Sequence, residues 1–313
     1  MQLLKIDKDN YIGQADPYII EHEGRYYIYT TGDDGLYGYS CDTLLGEWKF
    51  EGQIFTLEGR DHFWAPSVIY LDGKFYMYFS FEFYEDVPDQ GGHHQAMHVA
   101  VSDTPMGPFK LAGQIAHPFS IDSHIVKTEA GLFLFYSPNT FEGERIGTHI
   151  VVQKMKDQFT LEGEPTVVLL ASIDEEIFKR DRYKEGQHWH TLEGAFWFRE
   201  GEWQYLMYSG GRYEDETYFV GYAAAKTSEQ DLRKVKFHKM PDEHTYAPLL
   251  RSNDWEEGTG HNSVIKVDGQ YYCVYHARNT EADGLDGDRR NARIAKMHVA
   301  DGKITIERYP DHI

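Results

Sequence analysis

An all-β fold, a five-bladed β-propeller, is predicted by a phrase that returns five times along this 313-residue chain. Each copy opens on polar or small residues, runs through three or four apolar ones, turns at a Gly and continues into an aromatic strand. The openings are Asp16-Pro-Tyr-Ile-Ile, Ala65-Pro-Ser-Val-Ile, Asp122-Ser-His-Ile-Val, Glu193-Gly-Ala-Phe-Trp and His261-Asn-Ser-Val-Ile. The aromatic strands read Tyr26-Tyr-Ile-Tyr, Phe75-Tyr-Met-Tyr, Leu132-Phe-Leu-Phe-Tyr, Trp203-Gln-Tyr-Leu-Met-Tyr and Tyr271-Tyr-Cys-Val-Tyr. Repeats of this size with four short strands each are propeller blades, spaced irregularly where loops lengthen between them. Composition agrees: aromatic residues make up 15% of the chain, and rings fill pleated surfaces better than helix interiors, so helix is expected to be scarce.

Within each unit, alternation followed by Gly marks a hairpin, as in Pro17 to His22, the turn Glu23-Gly24, and Arg25 to Thr31. The turn recurs as Asp72-Gly73, Ala130-Gly131, Glu200-Gly201 and Asp268-Gly269, an acidic or small residue before Gly suiting the positive backbone angles of tight turns. Third strands are expected at Gly38, Met97 to Ser102, His149 to Lys154 and Val220 to Ala225. Outer strands are announced by Gly46-Glu-Trp-Lys-Phe, Gly107-Pro-Phe-Lys-Leu and Phe159-Thr-Leu-Glu-Gly. Insertions at 82–95, 172–191 and 277–291 break the rhythm, and loops are where a rigid scaffold places binding chemistry. No stretch reads as a linker, so residues 1–313 are expected to form a single domain with its active site in the central channel.

The 51 acidic residues against 31 basic give a net charge of −20, which repels nucleic acid and anionic membranes and suits a neutral ligand. Cys41 and Cys273 make no disulfide framework and are read as buried thiols. The N-terminal residues lack a basic region followed by a long apolar stretch, and no apolar run reaches membrane-spanning length, so a cytoplasmic protein is expected.

Three of the five openings begin with a carboxylate, Asp16, Asp122 and Glu193, and a fourth with His261. Singly each is ordinary, since Asp before Pro and Glu before Gly are common loop pairs. At one register of a repeat they would meet around one channel, where unpartnered carboxylates are expensive and so demand a reason. Two carboxyl groups, one protonated and one ionised, can cleave a glycosidic bond, and a third helps to hold them apart in pKa. The pairs His93-His94 and His188 with His190 lack the spacing of hydrolytic metal motifs, and His190 is read instead as a hydrogen-bonding partner for sugar hydroxyls.

Taken in order, Ala15-Asp-Pro-Tyr-Ile, Phe63-Trp-Ala-Pro-Ser-Val, Ile121-Asp-Ser-His-Ile, Leu192-Glu-Gly-Ala and Gly260-His-Asn-Ser make the chain resemble the family 43 glycoside hydrolases over nearly its whole length. Ala195 stands where that family often has Pro, and the C-terminal β-sandwich of the longer β-xylosidases is not read here. The resemblance implies Asp16 as general base, Asp122 as the residue tuning pKa and orientation, Glu193 as general acid, and inversion at the anomeric carbon. It further implies Arg293, in competition with Arg289 and Arg290, as a partner of the non-reducing sugar. At His261 it implies a calcium ion contacted through water, since calcium prefers oxygen ligands. Trp64 and Phe63 are the candidates for stacking on a sugar face, although Phe63 could instead take the core side. No organic cofactor is expected. The substrate expected is a pentose-containing oligosaccharide, an α-L-arabinofuranoside or β-D-xyloside, cut from its non-reducing end.

Two rivals are weighed. A non-catalytic sugar-binding propeller would lose one or more of the carboxylates, which this chain keeps. A retaining fructan hydrolase would carry Asn-Asp-Pro, Arg-Asp-Pro and Glu-Cys, whereas Ala15 precedes Asp16, Ser123 follows Asp122 and neither cysteine follows a Glu.

Overall fold

The computed structural model describes residues 1–4, 12–82, 94–117, 119–280 and 289–309. The chain forms five sheets in sequence order, antiparallel but for one parallel pairing, Gly147 with His190, in the third. The first holds Tyr18–His22, Arg25–Thr30, Leu36–Cys41 and Lys49–Phe55, and the second Trp64–Leu71, Lys74–Glu82, Gln95–Ser102 and Lys110–Gln114. The fourth holds Leu192–Glu200, Trp203–Gly210, Phe219–Lys226 and His238–Lys239, and the fifth Glu256–Val267, Gln270–Asn279, Asn291–Ala300 and Lys303–Glu307. The third is larger: Ser120–Thr128, Gly131–Thr140, Ile150–Asp157 and Thr160–Leu169 are joined by Gly147–Thr148, Ile177–Lys179 and Trp189–His190. Helix among the described residues is two 3-10 turns, Asp174–Glu176 and Leu232–Lys234, and no helix is long and apolar enough to cross a membrane.

The hairpins follow from their turns. Glu23-Gly24, Asp72-Gly73 and Asp268-Gly269 all have both residues at positive φ, the type I′ geometry whose twist matches that of the flanking strands. Apolar side chains then fill the seams between sheets. Phe55, Phe63 and Phe79 pack the first against the second, Tyr78 and Leu134 the second against the third, and Phe135 and Leu206 the third against the fourth. Tyr205 and Cys273 join the fourth to the fifth, and Ile28 and Val274 close the fifth onto the first. Every sheet therefore packs on two others, and the chain is a β-propeller. Cys41 and Cys273 are buried free thiols.

The innermost strands share a device that corrects the repeat register by one residue. Asp16, Ala65, Asp122, Gly194 and His261 all adopt left-handed backbone, with φ of 52°, 48°, 59°, 60° and 45°. Strand pairing shifts beside the last four of them, as at a β-bulge. Gly194, rather than Glu193, is thus the fourth member of the set, and Glu193 stands one position earlier. Two residues beyond these bends, Tyr18, His124 and Phe196 converge from three sheets, with ring centroids 5.9, 5.9 and 4.2 Å apart. His124 Nε2 donates to the Trp197 carbonyl at 3.1 Å, so its Nδ1 accepts from the Tyr18 hydroxyl at 3.2 Å. Burial keeps this imidazole neutral, its pKa pushed down to about 4. The three rings plug the middle of the propeller.

Candidate active site

Asp16, Asp122, Glu193 and His261 meet above this plug. His261 Nδ1 lies 3.2 Å from Asp16 Oδ1 and 3.8 Å from Asp122 Oδ2. The Gly194 N–H donates to Asp122 Oδ2 at 3.2 Å, so the left-handed bend in the fourth sheet hands its amide to the carboxylate of the third. Asp16 is the most heavily partnered. The Thr31 hydroxyl donates to its Oδ2 at 2.5 Å, Arg290 reaches Oδ1 at 3.4 Å, and its own N–H donates to His276 Nδ1 at 3.1 Å.

These surroundings drive the charges apart. Burial alone would raise Asp16, but the His261 and Arg290 cations outweigh it and hold the carboxyl well below its usual range. Glu193 is pushed up to about 8, by burial first and the Asp122 charge second, against the stabilising hydrogen bond from Tyr218. Asp122 is also raised, by burial and by the charge of Asp16. Burial would lower His261, yet Asp16 and Asp122 together hold it at about 9, so it is an imidazolium at neutral pH. The cluster thus has one acid that keeps its proton at neutral pH and one carboxylate that has surrendered its own.

Glu193 opens onto a cavity of about 140 Å³. Trp64 forms one wall, Ile121 and Phe119 lie beside it, and Phe178, Arg182 and Trp189 come from the insertion at 172–191. That insertion is anchored by a buried ion pair, Lys239 Nζ to Glu176 Oε1 at 2.5 Å, with the other Glu176 oxygen accepting from the Ser172 and Ile173 amides. Arg182 lies over the Trp189 ring at 4.5 Å. A larger, open groove of about 610 Å³ lies on the far side of Phe178 and contains none of the clustered carboxylates.

Several expected binding residues lie elsewhere. Phe63 is wholly buried and packs on Phe55 and Phe81 at 5.8 and 5.5 Å, so it belongs to the seam between the first two sheets and faces no sugar. His190 is turned away from the cavity that its neighbours Trp189 and Thr191 line: Arg145 donates to its Nε2 at 2.9 Å and its Nδ1 faces the Ile146 carbonyl. Alternation along a strand sends adjacent side chains to opposite faces. Arg293 is buried against Glu256 at 3.4 Å, in a cluster with Arg308 and Tyr275 that pins the fifth sheet together. Arg290, which also lies over the Tyr213 ring at 4.9 Å, is the arginine beside the carboxylates.

The donor set at His261 suits direct ligation of a calcium ion poorly. Its Nδ1 is turned to two carboxylates, and Asp16 Oδ1 already faces nitrogens of His261, His276 and Arg290, so an ion beside them would be reached through water. Among the described residues, the group able to converge on a metal is Asp61, His62 and Glu82, away from His261. His93 and the charged run at 283–290, save Arg289 and Arg290, lie outside the described residues.

Thr31, Tyr218 and His276 are the members of the cluster that motif reading passed over, and Arg290 was named there only as a rival of Arg293. Thr31 and His276 did carry a signal: each is the polar residue at the matching register toward the end of the second strand of its unit or just past it, as Ser80, Ser137 and Ser209 are in theirs.

The family described as Glycosyl hydrolases family 43 matches residues 14–304. The extracellular exo-α-(1→5)-L-arabinofuranosidase of Streptomyces avermitilis is 27% identical over 95% of this chain, which spans 65% of that relative's length. The probable arabinan endo-1,5-α-L-arabinosidase C of Aspergillus fumigatus is 32% identical, over 81% of this chain and 78% of the relative. Among solved structures, a thermostable family-43 glycoside hydrolase superposes with a TM-score of 0.79 at 27% identity, covering 99% of this chain and 96% of that one.

Proposed function

Because the chain belongs to glycosyl hydrolase family 43 and is a glycosidase, we propose that it removes single α-1,5-linked L-arabinofuranosyl units from the ends of arabinan-derived oligosaccharides, with inversion. Counted as blades, the five sheets make the propeller five-bladed, with the carboxylates at the mouth of its centre. Asp16 deprotonates the attacking water, Glu193 protonates the departing oxygen, and Asp122 holds Glu193 in its protonated form through its charge. The observation that carries this reading is the convergence of Asp16, Asp122 and Glu193 beside one cavity, with the partners of Asp16 favouring its ionised form and the surroundings of the half-buried Glu193 favouring its protonated form.

Asp16 is a weak base, which suits the chemistry. Charge at an oxocarbenium-like carbon builds before water commits, so the carboxylate need only orient water and accept its proton late. Removal from chain ends is supported by the cavity. Its volume, worth about five waters, is on the scale of one sugar ring, and Phe178, Arg182 and Trp189 of the insertion at 172–191 line it. The named relatives include an exo-acting and an endo-acting enzyme, so the products decide.

The test is hydrolysis of linear α-1,5-arabino-oligosaccharides, with products followed by chromatography and the first-formed anomer by proton NMR. Arabinose alone, released as the β-anomer, is the expected result; a ladder of oligosaccharides overturns end removal, and the α-anomer overturns inversion. Asp16→Asn should lower kcat/KM by about a thousandfold or more on every substrate. Glu193→Gln should do so on oligosaccharides and much less on 4-nitrophenyl α-L-arabinofuranoside, whose leaving group needs little proton assistance. The wild-type profile of kcat/KM should fall on the alkaline side near pH 8, where Glu193 loses its proton.

A further inference from the structure

One oxygen of Glu193 already has a partner. Tyr218, buried to 1% exposure just before the strand Phe219–Lys226, donates its hydroxyl to Oε1 at 2.7 Å. The phenol is clamped. Its ring lies parallel to His276, with centroids 5.8 Å apart and planes within 7°, and at its edge is Gly260, where even a methyl group would collide with the ring. Tyr218 is not part of the cavity lining, so it acts on the sugar only through Glu193.

We propose that Tyr218 is a positioning residue for the acid: by donating to Oε1 it confines the transferable proton of Glu193 to Oε2, and it then stabilises the carboxylate left behind. This rests on the reading of Glu193 as the acid. A protonated carboxyl has one O–H, and an oxygen that accepts from a buried phenol is the poor place for it. As the bond between the anomeric carbon and the leaving oxygen breaks, the proton passes from Oε2 to that oxygen. The negative charge spreads over both Glu193 oxygens, and the phenol O–H then becomes a charge-assisted bond, stronger than the one it made to the neutral acid. Tyr218 keeps its own proton throughout, since burial and the charges of Glu193, Asp122 and Asp16 hold it well above the usual phenol range. Gly260 and His276 serve the same end, because a phenol free to turn would let the proton settle on either oxygen.

The charged groups facing Glu193 are Asp122 and Asp16, which push its pKa up, and His261, which pulls it down. Arg182 and Glu214 look at it across the cavity. Tyr218→Phe keeps the ring and all of these groups, and removes only the donor that favours the ionised form. The alkaline limb of kcat/KM should therefore move up, by about half to one pH unit, a 3- to 10-fold change in the ionisation constant. On α-1,5-arabinobiose kcat should fall about 10- to 100-fold, and on the 4-nitrophenyl glycoside by less than about 3-fold.

A residue that merely fills space would lower both substrates alike and leave the limb in place. That result, or a limb that moves down, overturns the proposal. Site-specific 3-fluorotyrosine at position 218, a stronger donor, must move the limb the other way, and it decides the matter alone if the Phe variant does not fold. Glu193→Gln run in parallel separates the two readings. If its loss is equal on both substrates, the acid assignment falls; if it behaves as an acid knockout while the Tyr218 variants leave the limb unmoved, only the role of Tyr218 falls.

Discussion

Phe63 and Trp64 are neighbours with opposite placements, and the strand explains why. One faces the apolar seam with Phe55, Phe79 and Phe81, the other the cavity that Glu193 shares. Phe63→Ala should cost about 3–5 kcal/mol of stability by opening a hole among rings that cannot close over it. Below the unfolding transition, KM for an arabino-oligosaccharide should stay within about twofold, as expected of a core mutant with an intact site. A denaturation midpoint that barely moves, with a raised KM, would put Phe63 back against the sugar. The carboxylates themselves were legible in the sequence because each opens or nearly opens a repeat. Tyr218 was not, since it falls at no repeat position, and Arg290 entered only as a rival of Arg293. The choice of Arg293 over Arg290 failed for a definite reason: Arg293 lies inside a strand and is paired with the buried Glu256, while Arg290 sits just before that strand and reaches Asp16 Oδ1 at 3.4 Å.

At the scale of the elements, three of the five left-handed bends are held by one device. The polar residue at the matching register toward the end of a second strand, or just past it, takes the amide of the next bend around the ring: Thr31 accepts from Ala65 N at 2.8 Å, Ser209 from His261 N at 2.7 Å, and His276 from Asp16 N at 3.1 Å. Ser137, at the matching place, has a buried hydroxyl with no hydrogen-bond partner among the described residues, because Gly194 gives its amide to Asp122 instead. Two chemically identical changes should therefore differ. Ser209→Ala leaves the His261 amide unsatisfied and should cost about 1–3 kcal/mol, whereas Ser137→Ala removes only an unpaired polar atom and should be neutral or stabilising, as urea denaturation of the two variants would report. Equal losses would mean that the amide bonds carry nothing. The strand hairpins were readable from alternation and Gly, but the one-residue offset of the fourth unit was not. A bulge adds a residue without changing composition, and Glu193-Gly194 reads as an ordinary pair until the partner strand shows where the register shifts. The additional strands Gly147–Thr148, Ile177–Lys179 and Trp189–His190 are too short to show a period of two, so the insertion at 172–191 gave no sign of joining the third sheet.

For the whole molecule, ring closure was the most legible feature, because repetition at every unit outweighs ambiguity in any one. The seam between the last and first sheets shows how it is secured. The Ser263 hydroxyl donates to the Pro17 carbonyl at 2.6 Å and accepts from the Ile19 amide at 3.2 Å, stitching the two innermost strands that lie farthest apart in sequence. Charge acts on the same scale. With −20 spread over one compact ring, self-repulsion opposes folding, and added salt screens it over distances of about 8 Å at 0.15 M. The thermal midpoint should rise between 0.02 and 0.3 M NaCl while KM for a neutral oligosaccharide holds constant. A KM that climbs with salt would reveal a charged substrate in place of a neutral one.

The plug of Tyr18, His124 and Phe196 beneath the carboxylates has a consequence for traffic. A pocket with a closed floor has one doorway, so the released sugar cannot drop through ahead of the next unit, and both fragments must back out the way they came. If single units are removed from chain ends, as proposed above, the shortened chain would have to leave and return for each cut. Such an enzyme would nibble many chains evenly instead of running down one, and its pace on a long polymer would be set by how fast the doorway clears.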